Sequence, residues 1–445
     1  MGPSKSMATV QRSCPAGTFL GLDRGDYHTF YSIPYSTIPD PFQAPEHLLD
    51  AGTVEATEPE GRDIGITITI PANATQRSEL PVVAFIHGGR NETGHHDSPG
   101  YIGESFANSG CVYVSIGYRK QFEGFANFPE ELPGQYRGVQ DCAVALEWIQ
   151  RNIEAFGGDP TNVTVMGHSA GAAIALWLTR KDYFCGAFRR IIALSPAFPR
   201  RGFQQRLRAL GVVTCGNATK QHLAAMSASR RRGVYQRFRR LFLDDLALGL
   251  FPFDPSDFGA VPILLSCTRE EMYLDLATSK IDRLHLGKLL IRTRGKALGC
   301  TNPEHYLTEV TREEPTRIAG RFIGDSTIRR WVSAIAEHAP APVWLMEFVG
   351  TPDQPACHCV DLPLIFNNLH TNPSRVEELL GPDAQATRAE VAQSVHELVL
   401  SFIAGAPPNW KRYTQTERIS RSISLDGSAE EVIDPLAVIR NNFHT

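Results

Sequence analysis

Six short, continuous runs of apolar residues constrain the fold of this chain more than any other feature. They are rich in β-branched and aromatic side chains, as expected of strands that are covered on both faces of a sheet. The runs are VVAFIH (82–87), CVYVSIGY (111–118), VTVMG (163–167), RIIALS (190–195), PILLSC (262–267) and VWLMEFV (343–349). Apolar residues recur at helical spacing from Val139 to Ile153, between two of these runs. Strands that alternate with helices predict an α/β fold with a mostly parallel central sheet flanked by helices.

The composition excludes several classes of protein. The 445 residues include 44 Lys plus Arg and 48 Asp plus Glu, so no basic excess is available to bind nucleic acid. Apolar residues make up 42% of the chain, yet no apolar run approaches the roughly 20 residues of a membrane span. The first residues carry no apolar leader, and the nine cysteines include no CxxC pair. We therefore expect a cytoplasmic protein without a membrane span.

Two long segments interrupt the alternation of strands and helices. Residues 200–258 and 275–338 are rich in Arg, Leu and Ala and contain no clear buried strand. We predict a single α/β domain over residues 1–445, in which both segments are helical insertions over the C-terminal edge of the sheet. A lid or a pocket wall would lie at that edge.

Six arginines in RRRGVYQRFRR (230–240) mark the first of these insertions. We interpret this run as a solvated helix face, with Val234, Phe238 and Leu241 turned inward. The alternative is a basic patch that contacts an anionic ligand or a membrane surface.

The N-terminal part of the chain predicts strands of another kind. Residues 18–35 resemble a small antiparallel sheet, and ITITI (66–70) alternates as a half-buried strand does.

The strongest chemical signal is VTVMGHSAGAA (163–173), where a buried strand runs into a turn and then into an Ala-rich helix. The turn reads Gly-x-Ser-x-Gly around Ser169, in the strand–turn–helix context that a nucleophile elbow requires. The helix N-terminus also directs the Ala170 N–H towards a developing oxyanion. Ser169 is therefore the candidate nucleophile, and an ordinary glycine turn is the alternative.

A second glycine-rich turn closes the strand that begins at residue 82. In FIHGGR (85–90), the paired glycines allow the backbone to pass close to a reacting group and to expose its amides. Together with the elbow, this turn predicts an oxyanion hole formed by the backbone amides of Gly89, Arg90 and Ala170. A tight strand-to-loop turn without a chemical role is the alternative.

The segment FGGDPTNVTVMGHSAG (156–171) resembles the active-serine signature of the type B carboxylesterase, or cholinesterase-like, family of α/β-hydrolases. The resemblance implicates most of the chain, although the two helical insertions match poorly. Further segments that resemble the family are SIPYSTIPDPFQAPE (32–46), AFIHGG (84–89), VSIGYR (114–119), RGVQDCAVALEWIQRNI (137–153), VPILLSCTREE (261–271) and CHCVDLPLIFNN (357–368). The resemblance implies an α/β-hydrolase fold and the hydrolysis of carboxylic esters.

The resemblance also implies a triad in the chain order Ser, Glu, His. Glu271 in VPILLSCTREEM matches the position of the acid, and His358 in ACHCVDLP matches the position of the base. Ser195 lies where family members carry a buried serine near the acid. It would brace Glu271, or it would cap backbone at the end of its strand.

Four further residues compete for the roles of acid and base. Glu270 is the neighbouring rival of Glu271, although we expect its side chain to be solvated, and Asp275 is a more distant rival. His370 is the second candidate for the base. His168 is too close to Ser169 in the chain to act as its base.

The loop QFEGFANFP (121–129) resembles one that borders the active-site gorge of the family. Phe122, Phe125 and Phe128 in this loop predict an apolar acyl or alcohol pocket, with core packing as the alternative. Arg90 stands where the family often has a third glycine. Its charge would favour an acidic substrate if the side chain borders the pocket, or the side chain would point to solvent.

The sequence predicts no metal and no cofactor. Cys357 and Cys359 flank His358 and could suggest a metal site, but no third ligand is apparent. The pair His95-His96 is interpreted as part of a solvated loop. No dinucleotide-binding loop is present either.

These observations predict a serine hydrolase that cleaves a small-molecule ester. Ser169, Glu271 and His358 would form the triad, and the reaction would pass through an acyl-enzyme. An acyltransferase or amidase with the same triad is one alternative, since the acyl-enzyme step is shared. A non-catalytic cholinesterase-like binding module is the other.

Overall fold

The computed structural model describes residues 8–444, and most of its strands form one large sheet. The strands are β1 (Thr9–Cys14), β2 (Gly17–Asp23), β3 (Tyr27–Ile33), β4 (Ser36–Thr37), β5 (Glu46–His47), β6 (Thr53–Glu55), β7 (Ile66–Pro71), β8 (Leu80–Ile86), β9 (Val112–Ile116), β10 (Gly158–His168), β11 (Arg190–Leu194), β12 (Ile263–Thr268), β13 (Val343–Val349), β14 (Ile419–Ser424) and β15 (Ala429–Ile433). All six apolar runs of the sequence coincide with strands, from β8 to β13.

Helices connect and cover these strands. They are α1 (Glu104–Asn108), α2 (Gln121–Phe125), α3 (Arg137–Asn152), α4 (Ala170–Trp177), α5 (Leu207–Val213), α6 (Lys220–Ala224), α7 (Ala228–Arg239), α8 (Leu276–Arg283), α9 (Gly287–Arg294), α10 (Pro303–Glu313), α11 (Ile318–Gly324), α12 (Arg330–His338), α13 (Asp361–Ile365), α14 (Pro373–Leu380), α15 (Ala384–Thr387), α16 (Ala389–Ile403) and α17 (Ala437–Asn442). Within residues 8–444, none of the helices has both the length and the apolar character needed to cross a bilayer.

The order of strands in the large sheet is β1-β2-β3-β7-β9-β8-β10-β11-β12-β13-β14-β15, with β6 paired to β2. The central pairs from β9 to β14 are all parallel, whereas the outer pairs β1/β2, β2/β3, β3/β7, β7/β9 and β14/β15 are antiparallel. The prediction of an α/β fold with a mostly parallel central sheet is therefore confirmed. The carboxyl ends of β8, β10, β11, β12 and β13 lie along one edge.

Both faces of the central sheet are buried. In β8, Val82 and Ala84 belong to the apolar cluster on one face, whereas Val83 and Phe85 belong to the cluster on the other. The first cluster includes α3 and α4, and the second includes α1 and α16. Because helices cover both faces, the central strands are continuously apolar and do not alternate.

The N-terminal strands differ from the sequence prediction in two respects. Strands β2 and β3, within residues 18–35, extend the large sheet and do not form a small sheet of their own. Strand β7, predicted to be half-buried, is buried along its whole length. Its threonines are accommodated because the Thr67 hydroxyl bonds to the buried Asp97 and the Thr69 hydroxyl donates to the Ile102 carbonyl at 2.6 Å.

The same network corrects the interpretation of His95-His96 as a solvated pair. His96 is fully buried, with Nδ1 3.0 Å from Asp97 Oδ1 and 3.1 Å from the Thr67 hydroxyl. Only His95 retains partial exposure. The loop after β8 therefore packs against β7, where its polar groups satisfy one another.

Both segments predicted to be insertions are helical: residues 200–258 contain α5 to α7, and residues 275–338 contain α8 to α12. In α7, Val234 and Phe238 are buried as predicted, and the buried Arg231 donates to Glu123 at 2.7 Å. Leu241 is 52% exposed, so its predicted inward position is wrong. Helix α7 has ended by Arg240, which frees Leu241 from the buried face.

Candidate active site

Ser169 occupies a tight turn between β10 and α4. Its backbone is in an unusual conformation, with φ 55° and ψ −120°, and its N–H donates to the Leu194 carbonyl at 2.8 Å. Glycine is required on both sides because a Cβ at Gly167 would overlap the Gly171 carbonyl, and one at Gly171 would overlap the Ile86 carbonyl. This crowding is the physical reason for the Gly-x-Ser-x-Gly pattern.

The loop after β8 passes directly beside this turn. A Cβ placed on Gly88 would lie 3.1 Å from the Cβ of Ser169, so the backbone approaches the serine closely. Gly89 and Arg90 follow with positive φ angles of 107° and 60°. Within residues 8–444, no hydrogen-bond acceptor is found for the N–H groups of Gly89, Arg90 and Ala170. Three unpaired donors therefore lie on the two turns that meet at Ser169.

Glu271 and His358 are joined by a short hydrogen bond. The Oε2 atom of the buried Glu271 lies 2.6 Å from Nδ1 of His358, and its Oε1 accepts from the Ser195 hydroxyl at 2.7 Å and the Thr268 amide at 2.9 Å. Burial is the largest single influence and lowers the pKa of His358, but the charge of Glu271, its hydrogen bond and the charge of Asp361 together raise that pKa overall. The Ser195 hydroxyl therefore braces Glu271, which was the first of the two roles expected for it.

The neighbouring Glu270 is only partly exposed and is hydrogen-bonded to the protein, which corrects the expectation of a solvated side chain. Its Oε2 accepts hydrogen bonds from the backbone amides of Gly350 at 3.0 Å and Ala356 at 2.8 Å. Its own amide donates to the Ala356 carbonyl at 3.2 Å. The side chain therefore clamps the loop that leads to His358 onto the end of β12.

Asp275 and His370, the more distant candidates for the acid and the base, have partners elsewhere. Asp275 caps α8, with Oδ1 accepting from the amides of Ala277 and Thr278 at 3.0 Å. His370 is exposed and lies 2.8 Å from Glu104. Neither forms a hydrogen bond to the proposed triad in the described part of the chain.

Phe122, Phe125 and Phe128 lie in the core rather than against open space. Each is at most 1% exposed. Their rings pack edge-on or tilted against other aromatic rings, namely those of Phe42, Tyr118, Tyr136, Phe203, Tyr235 and Phe238. Core packing therefore describes them: residues of the 200–258 segment pack against Phe122 and Phe128, and Tyr118 and Tyr136 pack against Phe125.

The Arg90 side chain is also held by the 200–258 insertion. It donates to the Asp245 carbonyl at 2.7 Å and lies 3.9 Å from Glu92, while 45% of it stays exposed. It therefore borders solvent while it is tied to the insertion. The contact connects the predicted oxyanion loop to that insertion.

Sequence reasoning missed one polar residue near His358, namely Asp361, which also lies close to His168. The His168 ring is buried and its centroid lies 4.8 Å from that of His358. Nε2 of His168 is 3.8 Å from the carboxylate of the fully buried Asp361. Burial and the charge of Glu271 raise the pKa of Asp361 to about 7. Asp361 starts a short helix and carries no sequence signal that would have identified it.

The chain is similar to known esterases. The carboxylesterase family model matches residues 65–227. The chain is 26% identical to para-nitrobenzyl esterase of Bacillus subtilis (strain 168), over 94% of this chain and 95% of that protein. It is 32% identical to Esterase-5B of Drosophila persimilis over 56% of this chain, and it spans about half the length of that relative (50%).

Solved structures share the fold. A PNB esterase superposes with a TM-score of 0.76 at 24% identity, covering 97% of this chain and 99% of that one. A Geobacillus stearothermophilus carboxylesterase gives 0.79 at 23% identity, covering 98% and 100%. The α/β-hydrolase fold is therefore confirmed. The match of residues 65–227 to the carboxylesterase family model and the sequence similarity to esterases together support a carboxylesterase.

Proposed function

We propose that this carboxylesterase cleaves its ester through a Ser169–His358–Glu271 triad and an acyl-enzyme. The observation that carries the proposal is the 2.6 Å hydrogen bond between Nδ1 of His358 and the buried Glu271. A proton on Nδ1 satisfies this bond and leaves Nε2 free to accept the Ser169 proton. The Ser195 hydroxyl and the Thr268 amide support the role of Glu271 by holding its carboxylate in place.

In the proposed reaction, the Ser169 oxygen attacks the ester carbonyl while His358 takes its proton. The unpaired amides of Gly89, Arg90 and Ala170 then stabilise the negative charge on the carbonyl oxygen. His358 returns the proton to the leaving alcohol, and water repeats the sequence on the acyl-enzyme. The close approach of Gly88 to Ser169 supports this assignment because it brings the two turns together.

We further propose that residues 1–445 form one domain whose two insertions wall the site. Asn91, next to the predicted oxyanion amides, donates to the Leu248 carbonyl of the first insertion at 3.3 Å. In the second insertion, a Cβ on Gly324 would lie 3.1 Å from that of Glu271. These contacts support a role of the two insertions in shaping the pocket.

We also retain the proposal of a cytoplasmic location, which rests on the sequence. The nine cysteines, all free thiols, are compatible with a reducing compartment.

Covalent labelling tests the nucleophile. We expect a fluorophosphonate to modify Ser169 stoichiometrically, and Ser169→Ala to lower kcat for p-nitrophenyl acetate by at least about 10⁴-fold. Ser401→Ala, an exposed serine on α16, is the matched control and should behave as the wild type. Labelling at another serine, or full turnover by Ser169→Ala, contradicts the proposal. Transfer of the acyl group to an added alcohol or amine in preference to water would favour an acyltransferase, and faster cleavage of an amide than of the matching ester would favour an amidase.

A further inference from the structure

Three side chains with metal-binding atoms converge at the base of the proposed triad. One ring nitrogen each of His168 and His358 and the sulfur of Cys359 lie within 4.8 Å of one another. The sequence offered Cys359 beside His358 but no third ligand. The fold supplies that ligand from the last residue of β10, His168, 190 residues before His358 in the chain.

We propose that His168, His358 and Cys359 form a site for a thiophilic divalent cation such as Zn²⁺, and that occupancy of this site inhibits the esterase. Two imidazoles and one thiolate are a ligand set that zinc prefers. Zinc bonds of about 2.0–2.3 Å place tetrahedral ligand atoms about 3.3–3.8 Å apart, so side-chain shifts on the order of 1 Å close the cluster.

One ring nitrogen in the cluster is buried without a hydrogen-bond partner, and this supports the presence of a ligand. His168 is only 3% exposed, and its Nε2 has no hydrogen-bond partner in the described part of the chain. The same is true of both carboxylate oxygens of Asp361, 3.8 Å from that nitrogen. A bound cation would satisfy His168 and would be balanced by the neighbouring carboxylate.

The cluster also borders a cavity. Cys359 lines a cavity of about 630 Å³ whose wall includes Tyr101, Phe366 and Arg375. Its backbone has φ 78°, a conformation that a glycine adopts without strain. Cys359 therefore borders the cavity and also contributes its sulfur to the cluster with the two histidines.

Occupancy would compete directly with the proposed catalysis. The Glu271 bond occupies Nδ1 of His358, so a cation would bind the nitrogen that otherwise accepts the Ser169 proton. A histidine held by a carboxylate on one nitrogen and by zinc on the other is a common arrangement. The metal–sulfur bond replaces the thiol S–H bond, and the proton passes to solvent without any oxidation or reduction. The inhibition rests on the proposed role of His358, whereas the binding does not.

Binding is tested separately from activity with Co²⁺ as a spectroscopic probe. We expect a stoichiometric thiolate-to-cobalt charge-transfer band with the full chain, displaced by Zn²⁺. Cys359→Ser and Cys359→Gly should lose it. The glycine variant fits the positive φ and so should fold. Cys357→Ser, in which the buried neighbouring cysteine is changed, should retain the band. Absence of the band, or its persistence without Cys359, overturns the proposed site.

Inhibition is tested on the same variants after EDTA treatment. We expect Zn²⁺ to suppress p-nitrophenyl acetate hydrolysis reversibly in the wild type and in Cys357→Ser. Each Cys359 variant is compared with its own zinc-free rate and should need at least about 10-fold more Zn²⁺ for the same fractional inhibition. Cobalt binding to a fully active enzyme would overturn the inhibitory role. An enzyme inactive towards esters would instead count against the proposed function, and the cobalt band would still decide the metal site.

Discussion

Glu270 should control the position of His358 without taking part in the reaction. Its single oxygen Oε2 accepts both the Gly350 and the Ala356 amides, and Ala356 is fully buried. Hydrogen bonds to a charged group contribute roughly 1.5–3 kcal/mol each, and a buried amide left without an acceptor costs about 1–3 kcal/mol. Glu270→Ala removes both bonds and should therefore loosen the segment before His358 by about 3–6 kcal/mol.

The two replacements at this position have different expected effects. A misplacement of about 1 Å in a catalytic group costs on the order of 10² in rate, so Glu270→Ala should lower kcat by about 10- to 100-fold with KM little changed. Glu270→Gln retains one acceptor oxygen for both amides and should cost no more than about fivefold. The Gln side chain keeps an acceptor oxygen but removes the negative charge, whereas Ala removes both. A comparison of the two variants therefore separates the effect of hydrogen bonding from that of charge.

Kinetics and amide hydrogen exchange together provide the assay. Exchange of the peptide that spans residues 350–356 should accelerate in Glu270→Ala and stay near the wild-type rate in Glu270→Gln. Glu271→Gln is the comparison, since it should lower kcat without accelerating that exchange. Equal damage from Gln and Ala, or an unchanged exchange rate in Glu270→Ala, would refute the clamp.

Two further predictions concern pH. The charge of Glu271 raises the pKa of His358. In EDTA, kcat/KM should therefore fall on the acid side of its pH profile with an apparent pKa above the ordinary histidine value of about 6.5. Glu271→Gln should shift this acid limb of the profile to lower pH. Burial lowers the pKa of His87 to about 3, so below about pH 6.5 the unfolded chain binds a proton that the folded chain does not, and stability falls as pH falls. At about 1.36 kcal/mol per unit, this loss reaches about 2 kcal/mol at pH 5. In urea denaturation, His87→Phe should therefore gain about that much relative to the wild type between about pH 7.5 and 5, and a constant difference would contradict this account.

The sequence predicts best what is encoded locally. The turn around Ser169 needs small residues at 167 and 171, and this requirement is written in five consecutive positions. The continuous apolar runs likewise predict the central strands, because a strand buried on both faces needs no information from elsewhere in the chain. The resemblance to a known family added Glu271 and His358, which the structure joins by a hydrogen bond.

Features that depend on distant contacts could not be predicted in this way. Glu270 was expected to be solvated because its two partners lie 80 and 86 residues further along the chain. Phe122 could equally have faced a pocket, until the insertion at 200–258 placed Phe203 and Phe238 against it. In both cases the pattern of the residue itself is compatible with exposure, and burial is decided by a segment whose path the sequence does not reveal.

The arrangement of the sheet explains why the proposed site assembles from residues so far apart. Strands β10, β11, β12 and β13 are consecutive neighbours, and the chain leaves them towards Ser169, Ser195, Glu271 and His358 respectively. Parallel neighbours lie about 4.8 Å apart, so groups at the same edge of successive strands fall within reach of short side chains. The order of the triad along the chain, Ser then Glu then His, is thus its order across the sheet. The final distances depend on the loops after those strands, and for this reason the clamp at Glu270 should matter for activity although Glu270 takes no part in the reaction.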